Sequence, residues 1–142
     1  MKTLTLEPDY ACDFALYGLV SSTRDYTLAW ALNKGLRLRL QRQPDFVLHL
    51  VQQGPLAFSY YLHTTEVLVL RLLRNRALQP TTLDKPFLAP DIHEYDYLVH
   101  VQGGEGEMAG TELLDRLTAL GVVRYASELD PNELKYKENL FF

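Results

Sequence analysis

The sequence has little of what marks a secreted, membrane-bound or metal-binding protein. It contains one cysteine, Cys12, so no disulfide can form within the chain. We interpret Cys12 as a small buried apolar residue, because no nearby residue in the sequence would lower the pKa of its thiol. No apolar stretch approaches the roughly 20 residues of a membrane span, and the opening residues, MKTLTLEPDY, lack the apolar run of a signal peptide. We therefore expect a cytoplasmic protein with no membrane partner.

The histidines are few and are not spaced for metal binding. None is separated from another by the one or three residues that place two ligands side by side. They are His49, His63, His93 and His100. With no cysteine cluster either, we predict no metal site. Since His100 alternates with Val99 and Val101, we expect its side chain to lie on the polar, solvated side of a strand.

One glycine-containing segment resembles a cofactor motif. Residues Gly104–Ala109 fit the pattern G-x-G-x-x-A between a predicted strand and a predicted helix, the context of a dinucleotide-binding turn. Glu105 and Glu107, however, would place negative charge where a pyrophosphate must lie. The segments after Leu120 are also too short to complete a doubly wound sheet. We interpret the segment as a flexible strand-to-helix loop and expect no cofactor.

Length and composition predict one globular unit. The chain has 142 residues, of which 47% are apolar and 23% charged, so we expect a single domain over 1–142 with a polar C-terminal tail from about residue 129. The net charge of −4 disfavours a dedicated nucleic-acid-binding protein. No G-x-S-x-G surrounds Ser21–Ser22–Thr23, and we interpret the alternating Glu94 and Asp96 as solvated acids. We therefore predict no catalytic residue and no enzymatic activity.

The apolar pattern predicts two helices and several strands. A buried strand over 12–21 precedes a helix capped by Ser22 and stopped at Gly35. Leucines and arginines alternate over 36–42, which is typical of a half-exposed strand. The remaining predicted elements are strands over 57–65, 66–74, 95–101 and 122–127, a proline-containing connection over 77–94, and a helix over 111–120. The length of the 66–74 segment would also permit a helix.

This order of elements predicts the architecture. It reads strand–helix–strand, then a meander, then strand–helix–strand. Because two helices cannot cover both faces of such a sheet, we predict an α+β two-layer sandwich, with a mainly antiparallel sheet and both helices on one face. The other face of the sheet would then be open. The two β-α-β halves are compatible with a ferredoxin-like arrangement.

A family resemblance rests on the residues after the proline-containing connection. Pro90–Asp91, then Ile92, His93 and Glu94, then Tyr95–Asp96–Tyr97 are similar to the naming motif of the IPExxxVDY family of short Bacteroidetes proteins. Ala89, Asp91 and Tyr95 depart from it, standing where Ile, Glu and Val are expected. Three further stretches, over 12–36, 120–131 and 137–142, support the resemblance, which extends over most of the chain. The resemblance implies a cytoplasmic protein and brings no activity, cofactor or catalytic residue.

The motif contains two candidate binding residues, Asp96 and Tyr97. The carboxylate of Asp96 could cap a neighbouring loop, and the hydroxyl of Tyr97 could anchor it. The alternative is that both side chains contact a ligand.

The arginines form a second candidate site. Arg37 and Arg39, followed by Arg42, lie on one predicted strand and its exit, whereas Arg71 and Arg74, followed by Arg76, lie on or after another. If the strands are neighbours, these residues make a cationic patch, and nearby tyrosines would help it to bind RNA or an acidic partner. The alternative is an ordinary solvated sheet face with cross-strand ion pairs.

Our leading functional hypothesis is a non-catalytic protein-interaction or regulatory module. It rests on the aromatic-rich composition, the expected open sheet face and the lack of a catalytic constellation. Its partner would be a protein, including a second copy of this chain in a homodimer. One alternative is an RNA-associated protein that uses the arginines. The other is a small-ligand-binding domain, for which a pocket lined by Asp96 and Tyr97 would be the evidence.

Overall fold

The computed structural model describes residues 12–50, 54–78 and 86–142. Within these ranges the chain forms two α-helices and eight strands. They are β1 (Ala15–Val20), α1 (Asp25–Leu36), β2 (Gln41–Arg42), β3 (Phe46–Leu50), β4 (Gly54–Phe58), β5 (Tyr60–Thr64), β6 (Val69–Arg74), β7 (Tyr97–Gln102), α2 (Gly110–Thr118) and β8 (Tyr125–Leu129). Short 3-10 helices lie at Pro90–Ile92, Gly106–Met108, Pro131–Glu133 and Lys137–Leu140.

Six of the strands form one sheet in the order β2-β5-β6-β7-β1-β8, and each neighbouring pair is antiparallel. β3 and β4 form a separate antiparallel hairpin. The predicted α+β sandwich with a mainly antiparallel sheet is therefore confirmed. β7, α2 and β8 form a split β-α-β unit around β1, a connection found in ferredoxin-like folds. In the first half, three strands lie between β1 and β2.

Both helices cover the same face of this sheet, as predicted. Leu28 and Leu32 of α1 and Leu113 of α2 are fully buried there against sheet residues such as Tyr17 and Leu70. The apolar spacing along each helix puts these leucines on one side, and burying each of them contributes about 1.5–3 kcal/mol.

The opposite face of the sheet, called the far face below, is not open, so that expectation is wrong. Central strands carry apolar residues on both faces, and Leu16, Leu73 and Leu98 are buried on the far face. Residues from the β3–β4 hairpin, the 86–95 connection and the C-terminal segment cover them. The covering residues include Leu56, Phe58, Leu88, Ala89, Leu134 and Leu140.

His100 lies beneath this cover, so the prediction of a solvated His100 is also wrong. Its side chain is 0% exposed, and its ring stacks on Phe14 with centroids 4.0 Å apart. Its Nε2 atom is 3.0 Å from the carbonyl oxygen of Leu140. A carbonyl only accepts, so Nε2 carries the proton and donates it. Burial, and secondarily the charge of Arg71, lower the pKa of His100 to about 4.

Helix α1 differs from its predicted boundaries at both ends. Arg24, not Ser22, is the N-cap residue, and no side chain caps the helix. Gly35 lies inside the helix, and a Cβ there would come 2.5 Å from the side chain of Leu120. Gly35 therefore permits close packing rather than ending α1. Arg37, with a φ of 59°, takes the left-handed conformation that ends the helix.

The leucine–arginine alternation over 36–42 predicts burial correctly but not strand length. Leu36, Leu38 and Leu40 are buried, yet only Gln41–Arg42 pairs in the sheet. The side chain of Asn33 bonds both the N–H and the carbonyl of Leu40, at 2.7 and 3.2 Å. Because these backbone groups already have a partner, the chain is extended there without joining the sheet.

Candidate functional site

A cleft of about 430 Å³ opens where β1 and β6 end and where α1 and β7 begin. We call it the arginine cleft. It is lined by Ser21, Ser22, Thr23, Arg74, Arg76, Phe87, His93, Tyr95, Asp96 and Tyr97. The fold thus brings together three of the predicted binding residues, Arg74, Asp96 and Tyr97.

Asp96, which lines the cleft, links three chain segments. Its Oδ2 atom accepts a hydrogen bond from the backbone N–H of Ser21 at 2.8 Å. Its own backbone N–H donates to the carbonyl of Leu19, and its carbonyl accepts from the N–H of Asn75, both at 2.9 Å. The end of β1 and the end of β6 are therefore held together through one residue.

Tyr97 holds the segment that leads into α1. Its hydroxyl donates to the carbonyl oxygen of Thr23 at 2.6 Å, while its ring is buried in the helix-side core. Burial, and then the charge of Asp25, raise the pKa of Tyr97 to about 12. The hydroxyl therefore remains a neutral donor near neutral pH. The contacts of Tyr97 and Asp96 match the loop-anchoring interpretation of the pair.

Two guanidinium groups contribute the positive charge of the cleft. Arg74, at the end of β6, is half-buried, and Arg76 is exposed with its guanidinium 5.4 Å from the centre of the Phe87 ring. Neither forms a salt bridge with a described residue, although Asp96 lines the same cleft. With two guanidinium groups against one carboxylate, the charged side chains of the lining are net positive.

The start of α1 lies beside the cleft, since Thr23 of the lining is two residues from Asp25, the first residue of α1. The N-terminal end of a helix carries a partial positive charge. The carboxylate of Asp25 accepts the N–H of Tyr26 at 2.9 Å and offsets this charge. The two guanidinium groups are therefore what makes the cleft favourable for an anion.

Asn75 positions one wall of the cleft and was missed by the sequence analysis. It is 0% exposed, and its side-chain amide donates to the carbonyls of Ile92 and Tyr95 at 3.1 and 3.0 Å. Its Oδ1 atom accepts from the N–H of Ala89 at 2.8 Å. Asparagine after a strand indicates a turn, but that signal does not reveal burial or partners 14 to 20 residues away.

Arg37 and Arg39 lie in a different cleft, also of about 430 Å³, where α1 ends. We call it the distal cleft. Its other lining residues are Gln41, Gln43, Leu62, His63, Thr64 and Thr65. The backbone N–H of Arg39 donates to Nδ1 of His63 at 2.9 Å. Burial and then the charge of Arg39 lower the pKa of His63, in agreement with an Nδ1 atom that accepts.

Arg71 joins neither cleft. It is three residues from Arg74 on the same strand, so the two side chains leave opposite faces of the sheet. The Arg71 guanidinium donates to the Tyr60 hydroxyl at 3.1 Å and to Oε1 of Gln102 at 2.7 Å, and it lies 4.5 Å from the Phe142 ring centre. The predicted single patch of arginines is thus divided among three places.

Across 12–50, 54–78 and 86–142, no three histidine, cysteine or acidic side chains are grouped so that they could hold a metal ion. None of the helices within those ranges has the length and apolarity of a membrane span. No protein-family model, curated protein or solved structure matches the chain. The resemblance to the IPExxxVDY family therefore stays a prediction.

Proposed function

We propose that this chain is a non-catalytic binding domain whose ligand carries a phosphate group held in the arginine cleft. The observation that carries the proposal is the convergence of Arg74 and Arg76 on one cleft without a salt bridge to any described residue. The site includes Asp96 and Tyr97, the two residues predicted to line a ligand pocket.

A bound phosphate would stabilise Arg74 in particular, because this residue is half-buried. A guanidinium group that is partly removed from water loses hydration, and an unpaired charge recovers none of that cost. A phosphate between Arg74 and Arg76 would accept charge-assisted hydrogen bonds, which are about twice as strong as neutral ones. Arginine also suits phosphate geometrically, because its planar N–H groups can donate in pairs.

The proposal includes no catalysis. A nucleophilic hydroxyl needs a base within hydrogen-bond reach. The hydroxyls of Ser22 and Thr23 have no hydrogen bond to a histidine among the described residues. His93, which lines the same cleft, has its Nδ1 atom 3.2 Å from the carbonyl oxygen of Pro90.

The protein-interaction hypothesis loses one of its supports, because the sheet face on which it relied is covered. A protein partner, self-association, a regulatory role and a cytoplasmic location stay predictions. The aromatic-rich composition also motivated the hypothesis, and exposed aromatic residues lie on α1, on β8 and in the C-terminal segment: Tyr26, Trp30, Tyr125, Phe141 and Phe142.

A matched pair of variants tests the proposal. The unfolding temperature and calorimetric heat would be measured with inorganic phosphate and pyrophosphate, with chloride at equal ionic strength as the blank. We expect saturable binding that is strongly reduced in Arg74→Gln/Arg76→Gln and retained in Arg42→Gln/Arg116→Gln. The second pair removes the same charge from outside both clefts. Absence of phosphate binding, or equal loss in both double variants, would refute the proposal.

A further inference from the structure

The outer side of α1 carries two exposed aromatic rings. Tyr26 is 60% exposed and Trp30 is 61% exposed, although the opposite side of the same helix is fully buried. The spacing of four residues places both rings, and then Lys34, in one stripe. The Lys34 ammonium lies 5.0 Å from the centre of the Trp30 ring. Two large exposed rings in a row are unusual on a surface without a partner.

The charges along this stripe are mostly positive. Arg24, Lys34 and Arg37 are exposed, at the start, the last turn and the end of α1. The acidic residue of α1, Asp25, is half-buried, and its carboxylate accepts the Tyr61 hydroxyl at 3.3 Å. A second copy of this face would bring like charges together, which disfavours a homodimer through α1. The stripe suits an anionic partner.

The two arginine-containing clefts lie at the two ends of this stripe. The arginine cleft includes Thr23, just before α1, and the distal cleft includes Arg37, just after it. A helix of 12 residues is about 18 Å long. At about 3.4 Å for each stacked nucleotide, this length corresponds to about five nucleotides.

We infer that the phosphate-containing ligand is a single-stranded nucleic acid lying along α1. Its backbone would place phosphates in both clefts, and its bases would stack on Tyr26 and Trp30. Proteins that bind single strands combine cationic grooves with aromatic stacking platforms in this way. An acidic protein segment would satisfy the charges, but it has no bases to stack on the two exposed rings that lie between the two clefts. The inference rests on the proposed function, because it includes the arginine cleft.

The sole tryptophan of the chain makes a direct test available. A base that stacks on Trp30 should quench the intrinsic fluorescence. The probes are hexauridylate, the dinucleotide UpU, and poly-L-glutamate as an acidic chain without bases. We expect saturable quenching by hexauridylate, at least tenfold weaker binding of UpU, and no comparable quenching by poly-L-glutamate. Comparable binding and quenching by poly-L-glutamate would overturn the inference in favour of an acidic protein partner.

Variants then test where the nucleic acid binds. The affinity of each variant for a labelled hexamer would be measured by fluorescence anisotropy. Arg74→Gln/Arg76→Gln and Arg37→Gln/Arg39→Gln should each weaken binding and lower the slope of log affinity against log salt by about 0.7, the value for one lost phosphate contact on a single strand. Trp30→Ala should weaken binding about tenfold, as expected from the loss of one stacked base.

The control for the aromatic variant is Phe141→Ala. Phe141 is also exposed, at 42%, but it belongs to the segment that covers the far face. Its removal should leave hexamer binding unchanged.

The outcomes separate the inference from the proposed function. If phosphate binds through Arg74 and Arg76 but the hexamer neither binds nor quenches Trp30, the inference fails and the proposed function stands. If the hexamer binds without dependence on Arg37, Arg39 or Trp30, the inference fails too. If neither phosphate nor the hexamer binds, both are wrong.

Discussion

The Nε2 atom of His100, on strand β7, donates a hydrogen bond of 3.0 Å to the carbonyl of Leu140, close to the C-terminus. Through this bond the sheet holds the segment that covers its far face. The ring of Phe14 packs on one side of the imidazole, and the edge of Phe142 approaches it at 5.1 Å. The C-terminal segment is therefore held on the sheet by the titratable side chain of His100, which is packed between aromatic rings.

Because burial lowers the pKa of His100, the stability of the protein should depend on pH. The pKa of His100 is about 4 in the folded protein and about 6.5 in an unfolded chain. Between these values the unfolded state binds more protons, so the free energy of unfolding falls as pH decreases. The expected loss from His100 between pH 6.5 and pH 4 is about 3 kcal/mol. Urea unfolding at several pH values in this window measures it.

Two matched substitutions isolate that contribution. His100→Gln should abolish most of the pH dependence, while His49→Gln, which changes an exposed histidine, should keep the wild-type profile. His63 contributes in the same direction, since its pKa is lowered as well. A small slope should therefore remain in His100→Gln. An identical slope in both variants would contradict the assignment.

Gly18 should be intolerant of a side chain. A Cβ at this position would come 2.5 Å from the ring of Tyr95, which packs against β1. Neither β1 nor the buried Tyr95 ring has free space to move away from the added methyl group. Gly18→Ala should therefore destabilise the protein by about 1–3 kcal/mol. Gly121→Ala is the control, since a Cβ there meets nothing within 4 Å. Its stability should change by less than about 0.5 kcal/mol. Equal denaturation midpoints for the two variants would show that the Tyr95 ring can move to accommodate the added Cβ.

Two adjacent C-terminal residues should differ strongly in their contribution to stability. Leu140 is 0% exposed within the cover, whereas Phe141 is 42% exposed. Leu140→Ala should cost about 2–5 kcal/mol because it leaves a cavity. Phe141→Ala loses an edge-on contact with Phe14 and should cost no more than about 1 kcal/mol. Chemical denaturation compares them, and a costlier Phe141→Ala would mean that the segment packs in another way.

Asn75→Ala tests whether the wall of the arginine cleft depends on one amide. The variant removes three side-chain hydrogen bonds and leaves the carbonyls of Ile92 and Tyr95 without that partner. We expect a loss on the order of 3 kcal/mol and weaker phosphate binding. Asn139→Ala, which removes a single bond to the Leu88 carbonyl, should cost about 1 kcal/mol and leave binding unchanged. If folded Asn75→Ala binds phosphate with full affinity, the wall that Asn75 positions does not contribute to phosphate binding.

The helix side of the fold could be predicted because it follows a regular period. The leucines of α1 and α2 recur at helical spacing, so the shared face of the sheet follows from the pattern. The far-face cover could not be predicted in the same way. Leu88, Leu134 and Leu140 lie in irregular segments or short 3-10 turns, where no periodicity shows which side is buried.

The candidate site was predicted in part. Arg74, Asp96 and Tyr97 were named from the sequence and do meet in one cleft. Arg71 was grouped with Arg74 because both lie on one strand, although an odd spacing along a strand already indicates opposite faces. The contacts of Asn75 cannot be read from its neighbours in sequence, since they depend on how the 86–95 connection returns over β6.

The position of β1 in the sheet has a consequence for biosynthesis. Both of its neighbours, β7 and β8, come from the last third of the chain. During translation, this strongly apolar strand has no native partner until Tyr97–Gln102 have left the ribosome, and its other edge stays unpaired until Tyr125–Leu129 follow. The meander of β5, β6 and β7 can form sooner, from contacts nearer in sequence. Until then the nascent chain exposes the unpaired, apolar edge of β1 that β8 later covers. This is the interval in which a chaperone would act on it.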